Sequence, residues 1–173
     1  VLLAMITSPA NGSSLLLAGI EPEKERHISK IDDSIKEGHY IATSSDRMVM
    51  IGKKLSETLE AGVGDKVVVT VAEINTGELV QEMLRVAAVF ETGISEIDSN
   101  MAFTGIKTVQ QMAGTGDRSH EIALKFHNRE SFMQSDERYF AGYSGRDNEA
   151  LSWRKLTPEL DAMIKMSDFS LAI

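Results

Sequence analysis

Residues 51–71 read IGKKLSETLEAGVGDKVVVTV. Ile51, Leu55 and Leu59 recur at i, i+4 and i+8, one stripe of an α-helix. Gly62 and Gly64 follow, and glycine accepts the left-handed conformation that ends helices. Asp65-Lys66 then turns the chain into Val67-Val68-Val69-Thr70-Val71, a β-branched run that favours a strand. The order helix, G-x-G-D-K, strand marks a folded module, and no side chain in it is reactive.

The same reading extends to both sides. Val1 to Thr7 and Ser13 to Ile20 form two strands joined by the turn former Asn11-Gly12, a hairpin. Pro22 opens a helix whose stripe is Ile28, Ile31 and Ile35 and whose stop is Gly38. Tyr40 to Thr43 is a short strand. Beyond Val71, the turn residues Asn75-Thr76-Gly77 return the chain into a strand over Leu84 to Phe90. Glu91 to Asn100 is polar and reads as a loop. Met101 to Phe103 is a strand, and Val109 and Met112 lie on a brief helix ending at Gly114. Glu121 to Phe126 is a strand, and Asn128 caps a helix carrying Phe132, Met133, Tyr139 and Phe140. Glu149 to Trp153 is a last strand. Thr157-Pro158 starts a helix with Leu160, Met163, Ile164, Ser167 and Leu171 near one face. The pattern is α+β. A composition shift suggests a subdomain over 48–115 inserted between flanking parts over 1–47 and 116–173.

Composition narrows the chemistry. The chain has 173 residues, 18 Lys and Arg against 26 Asp and Glu, a net charge of −8 and no cysteine. An acidic chain repels phosphate backbones, so no nucleic-acid partner is expected. Disulfides and thiolate metal sites are excluded. A membrane helix needs ~20 consecutive apolar residues, and the longest runs here are Val1 to Ile6 and Leu15 to Ile20. Both ends read as cuts in a longer protein, since the chain opens inside an apolar run and closes on rising hydrophobicity at Phe169 to Ile173.

No catalytic signature is present. His27, His39, His120 and His127 lack metal-ligand spacing. Gly142-Tyr143-Ser144-Gly145 misses the nucleophile-elbow spacing by one residue. Gly62-Val63-Gly64 and Gly114-Thr115-Gly116 do not open helices after strands, which phosphate cradling requires. Glu91, Glu96 and Asp98 gather in one loop without calcium-loop spacing and read as solvated. Catalytic, cofactor and metal sites are therefore expected to be absent. Methionine adapts to irregular apolar surfaces. Met48 and Met50, two residues apart on an extended segment, are the preferred candidates for a partner surface.

Three motifs carry a family resemblance: the opening stretch, LRVAAVFETGISEIDSNMAF and LSWRKLTPEL. Gly52, Leu55, Gly64, Asp65, Phe90, Gly93, Asp98, Met101, Trp153, Arg154 and Leu160 are the matching residues. In this order they resemble the extracytoplasmic (periplasmic) domain of an ABC transporter permease. The lipoprotein-releasing permeases are the nearest group, in one superfamily with the macrolide-export permeases. The resemblance implies a discontinuous βαβ-type porter subdomain with an inserted subdomain that contains a β-hairpin. It implies a full-length protein embedded in the inner membrane, no chemistry in this domain, and ATP hydrolysis by a separate cytoplasmic subunit. Implied partners are that subunit, a second permease subunit, identical or not, and a lipoprotein or other periplasmic substrate. Relatives differ in partners at the tip of the middle hairpin, which makes Asn75, Thr76, Gly77, Glu78 and Leu79 candidates too. A long Pro-containing hook that captures a chaperone in one such subunit is missing between Ala72 and Met83. Trp153 is expected to pack between the last strand and the helix leading to the membrane. Two other readings stand beside this one. One is a periplasmic binding or scaffold domain without a transport role. The other is a hydrolase-like enzyme, for which His120 and Glu121 are the residues to test.

Overall fold

The computed structural model describes residues 1–44, 46–128 and 140–158. The chain divides into two compact units, Val1–Lys125 and Phe126–Ile173. In the first unit lie β1 (Leu2–Thr7), β2 (Gly12–Ile20), α1 (Pro22–Glu25), a 3-10 turn (Ile31–Ser34), β3 (Ile35–Gly38), β4 (Met48–Gly52), α2 (Lys53–Leu59), β5 (Lys66–Ala72), β6 (Leu79–Phe90), α3 (Ser95–Asn100), β7 (Met101–Gly105) and α4 (Ile106–Ala113). In the second, α5 (Trp153–Leu156) is a single turn.

Strand order is β3-β6-β4-β7-β2-β1-β5, and β5 pairs again with β6. That extra pairing closes six strands into a barrel, with β3 added on β6. Closure leaves few free edges, which is how small β structures avoid unwanted pairing. β4 runs parallel to β6 and β2 parallel to β7, while the other ladders are antiparallel. The fold is α+β. Strands from 1–47 and from 48–115 share this one sheet.

Alternation along the strands fills the barrel. Ala4, Ile6, Leu15, Leu17, Val49, Ile51, Val67, Val69, Val71, Leu84, Val86 and Ala102 belong to one buried cluster, with Leu55 and Leu59 of α2 and Val109 and Met112 of α4. Each Val, Leu, Ile or Met among them contributes ~1.5–3 kcal/mol relative to exposure. A second cluster lies outside the barrel wall: Ala18, Ile20, Ile31, Ile41, Met50, Ala88, Phe90 and Phe103. Phe90 and Phe103 meet edge to face with centroids 5.4 Å apart. A bulge opposite Val49 and Met50 shifts the β6 register between Val86 and Ala88. Its extra residue sends Ala88 and Phe90 to the outer cluster.

Two halves of this barrel repeat one device that the sequence does not announce. β4 ends in Gly52 and enters α2; β7 ends in Gly105 and enters α4. The two glycines hold the same extended backbone, φ −68 ψ 154 and φ −64 ψ 138. Each lies beneath the chain that leads into the other strand. A Cβ on Gly52 would stand 2.2 Å from the Asp98 carbonyl oxygen, and one on Gly105 would stand 2.2 Å from that of Ser44. β4 and β7 pair antiparallel, Val49 opposite Thr104 and Ile51 opposite Ala102. The arrangement is a pseudo-twofold of strand, glycine and helix about that ladder.

Several expectations are corrected. The helix expected from Pro22 to Gly38 stops after Glu25, because Lys30 takes the left-handed conformation at φ 53 and Ile35 enters a ladder opposite Phe90. Ile31 and Ile35 of its stripe instead cover the barrel wall. Ile51 belongs to β4 rather than to the helix, which keeps Leu55 and Leu59. The loop expected over 91–100 contains α3. Tyr40 to Thr43 makes no strand. Glu121 to Phe126 and Glu149 to Ser152 form no ladder among the described residues, and Ile122 and Leu124 stand exposed. Trp153 begins a helical turn, half-buried under the Arg154 guanidinium at 5.7 Å from its ring centroid. The helix expected after Asn128 and most of the one after Pro158 lie outside the described residues.

Candidate functional site

The barrel wall is covered on one side and bare on the other. Over β4, β7 and the end of β6 the wall carries the outer cluster, with Ile31, Ile35, Tyr40 and Ile41 laid across it. Tyr40 pins that cover, since its hydroxyl donates to the Pro22 carbonyl at 3.2 Å and its ring lies 4.6 Å from the Arg26 guanidinium. Burial first, then Glu25 and Asp32, push the phenol up to about 12, and Arg26 opposes them.

Over β2, β1, β5 and the first half of β6 nothing covers the wall among the described residues. Leu16 pairs with Leu3, Met5 with Thr70, Thr7 with Val68 and Val68 with Met83. These side chains alternate with the buried ones and so point outward. Leu3 and Leu79 are 74% exposed, Met83 55%, Met5 53% and Leu16 44%. At one end of this apolar face Lys66 sits opposite Arg85 in the same ladder. Arg85 also donates from Nη1 to the Gly64 carbonyl at 2.5 Å. At the other end the β5–β6 turn closes between Glu73 and Glu78, with the Glu73 carboxylate turned to the Thr76 hydroxyl. The exposed methionines and leucines share this face, and exposed apolar surface of this kind marks contact sites.

The expected surface residues divide sharply. Met48 is exposed and pairs opposite Arg85, at the margin of this face. Leu79 lies on it. Met50 is fully buried in the outer cluster, a correction: Val49 and Ile51 point into the barrel, so Met50 points out beneath the 31–41 cover. Asn75, Thr76 and Gly77 serve the turn. Asn75 Nδ2 donates to the Gly114 carbonyl at 3.0 Å, and Thr76 Oγ1 to a Glu73 carboxylate oxygen at 2.6 Å. Gly77 takes φ 73. Glu78 is exposed. Leu3, Met5, Leu16 and Met83 were not singled out in the sequence; their period-2 alternation with Ala4, Ile6, Leu15 and Leu84 was the available signal.

Asp98 is the acid whose surroundings differ most from expectation. It is 3% exposed. Its Oδ1 accepts from the Thr92 amide and hydroxyl, both at 2.8 Å, and its Oδ2 from the Gly93 amide at 3.1 Å. Burial pushes its carboxyl up, but those hydrogen bonds, with Lys54 nearby, outweigh it and hold the group below the usual range. The arrangement binds a loop to a helix. Glu91 pairs with Lys53 at 3.1 Å on the surface.

Among the described residues, no group of three His, Asp or Glu side chains could hold a metal ion. His120 and Glu121 are exposed on the rim of a cleft of about 270 Å³ whose apolar wall includes Ala18, Ile20 and Phe103. Gln110 closes its inner end, donating from Nε2 to the Arg118 carbonyl at 3.1 Å, with its buried Oε1 unpaired. No described helix is long and apolar enough to cross a membrane.

No family profile matches the chain. Two curated proteins do, over 118 residues at 27% identity each. Both are named lipoprotein-releasing system transmembrane protein LolC, from Xylella fastidiosa strains Temecula1 and 9a5c. The chain is similar to a transmembrane protein of a lipoprotein-releasing system. The match takes in 65% of this chain and 28% of each relative, so the chain spans little more than a quarter of their length. This similarity supports the permease superfamily that the three sequence motifs resemble.

Proposed function

We propose that this chain is the extracytoplasmic domain of an ABC transporter permease of the lipoprotein-releasing type. The similarity to LolC carries the reading. In it, a cytoplasmic subunit hydrolyses ATP, and a second permease subunit stands beside this one. The domain passes the resulting motion to a lipoprotein or other periplasmic substrate. Its own part is mechanical. A barrel closed by six ladders and filled with aliphatic side chains moves as one rigid piece, because close-packed interiors transmit strain rather than absorb it. The porter subdomain and its insert belong to the same proposal.

These 173 residues contain no cysteine. Glu96 is exposed on α3, and Glu96→Cys in a full-length gene product whose cysteines outside this stretch are replaced by Ser offers one thiol. A membrane-impermeant maleimide is expected to label it in spheroplasts as completely as in lysed cells. Labelling only after lysis would place the domain in the cytoplasm and end the proposal.

A further inference from the structure

We propose that Met5 and Met83 form a reversible oxidation site: oxidants of the peroxide class convert these two thioethers to sulfoxides and turn the bare face polar while the barrel stays folded. Both side chains are more than half exposed. Both stand on the outside of the wall, because Ala4, Ile6 and Leu84 beside them in sequence point into the barrel. Met5 pairs with Ser14 on one side and Thr70 on the other, residues too small to shield a thioether. Its methyl lies next to Gly12, where a Cβ would stand 3.4 Å from it and none is present. At Met83, β5 pairs with one side of β6, whereas β4 joins the other side only from Arg85 onward. Met50 and Met112, by contrast, are buried in the outer cluster and in the barrel. Susceptibility of methionine to oxidation follows exposure, so the fold separates residues of one chemistry into a reactive pair and a protected pair.

The step balances with hydrogen peroxide as the oxidant. A sulfur lone pair attacks one peroxide oxygen, the S–O bond forms and the O–O bond breaks. The departing hydroxide takes the proton from the transferred oxygen and leaves as water, so sulfur loses the two electrons that the peroxide gains. A flexible apolar side chain becomes a polar, chiral one, and sulfoxide reductases reverse the change. Position gives it an effect. Met5 occupies one row of the face, and Thr7, Val68 and Met83 the next. These rows lie between the Leu3–Leu16 pair and the Lys66–Arg85 pair, so two sulfoxides replace the apolar middle of the face with polar groups. Their oxygens accept hydrogen bonds from water, and no polar group is buried. The same oxygen on Met50 or Met112 would be buried without a partner, which is costly. The inference goes beyond the transport reading and does not rest on it.

The test begins with hydrogen peroxide added to the full-length gene product in its own membranes, followed by digestion and mass spectrometry. Met5 and Met83 are expected to gain oxygen at least about tenfold faster than Met50 and Met112, and all four at similar rates when peroxide is added after digestion. The 173-residue chain then reports the consequence, with Met5→Leu/Met83→Leu as its oxidation-resistant counterpart. Peroxide lowers retention on a hydrophobic-interaction column further in the parent than in this variant, and the two methionine sulfoxide reductases restore the parent's retention. The two oxidised chains melt within about 2 °C of each other, the range of changes at exposed positions. Oxidation of Met5 and Met83 no faster than that of Met50 and Met112 overturns the proposal, and a partner that covers the face in the membrane gives that result. An equal fall in retention in parent and variant overturns it as well, as does a fall that the reductases do not reverse. A larger gap in melting between the two oxidised chains shows that the barrel does not tolerate the sulfoxides, which also overturns it.

Discussion

Replacing Asp98 with Ala is expected to cost about 3 kcal/mol at neutral pH, because loss of a buried charged acceptor strands its donors. In a domain of this length that is a fall of roughly 6–12 °C in Tm. The reason lies in the three donors that Asp98 satisfies. The Thr92 amide, the Thr92 hydroxyl and the Gly93 amide all end on one carboxylate that is 3% exposed. Alanine leaves them unpaired, and Asn offers Gly93 an NH₂ group where an acceptor is needed. The effect depends on pH in one direction. The folded state holds the carboxyl below its ordinary 3.8, so the carboxylate stabilises the fold fully above that value. The contribution drains away as pH falls from about 4 through the lower folded-state value. The gap in stability between the parent chain and Asp98→Asn is therefore widest at neutral pH and narrows in acid. A gap of constant size from pH 7 to pH 2.5, measured by denaturant unfolding, would show that the charge plays no part.

Alanine at Gly52 or at Gly105 is expected to be as damaging, about 3 kcal/mol each, since an inserted methyl group in a close-packed site forces backbone apart. Neither glycine is needed for its backbone angles, which any residue adopts. Each is needed because another chain crosses it: a methyl at Gly52 meets Asp98 backbone atoms at 2.2, 2.6 and 2.7 Å, and one at Gly105 meets Ser44 backbone atoms at 2.2, 2.4 and 2.9 Å. Backbone cannot swing away as a side-chain tip can. Gly62→Ala is the control, because nothing lies within 4 Å of its Cβ position; it should change stability by less than ~0.5 kcal/mol. Urea melts of the three variants decide the matter. Equal, small losses would mean that the two crossings are not tight and that the repeat has no structural role.

How much of this was readable beforehand depended on the range of the contacts. Asn11-Gly12 announced its hairpin and Val67 to Val71 its strand, because turn chemistry and β-branching act within a few residues. Leu55 and Leu59 announced α2 in the same way. Ile28, Ile31 and Ile35 misled for the same reason: their spacing fits a helix. Only the ladder between Ile35 and Phe90, 55 positions away, pulls the end of that segment into β3. Asp98 looked like one of several acids in a polar loop, since nothing local distinguishes an acid that captures two amides from one that faces water. The glycine crossings were hidden too. Gly52 is matched to Asp98 and Gly105 to Ser44 by the topology, and the two copies of the device share little beyond M-x-x-x-G. The bare apolar face stayed unseen because a strand with apolar residues on both sides reads as buried on both sides, and here one side is open.

The most direct test of the transporter reading is purification of the full-length gene product from its own membranes in mild detergent. The reading predicts that a cytoplasmic ATP-binding protein comes with it in fixed proportion and that the complex hydrolyses ATP. A gene product that purifies from those membranes without an ATP-binding subunit and without ATPase activity would contradict it.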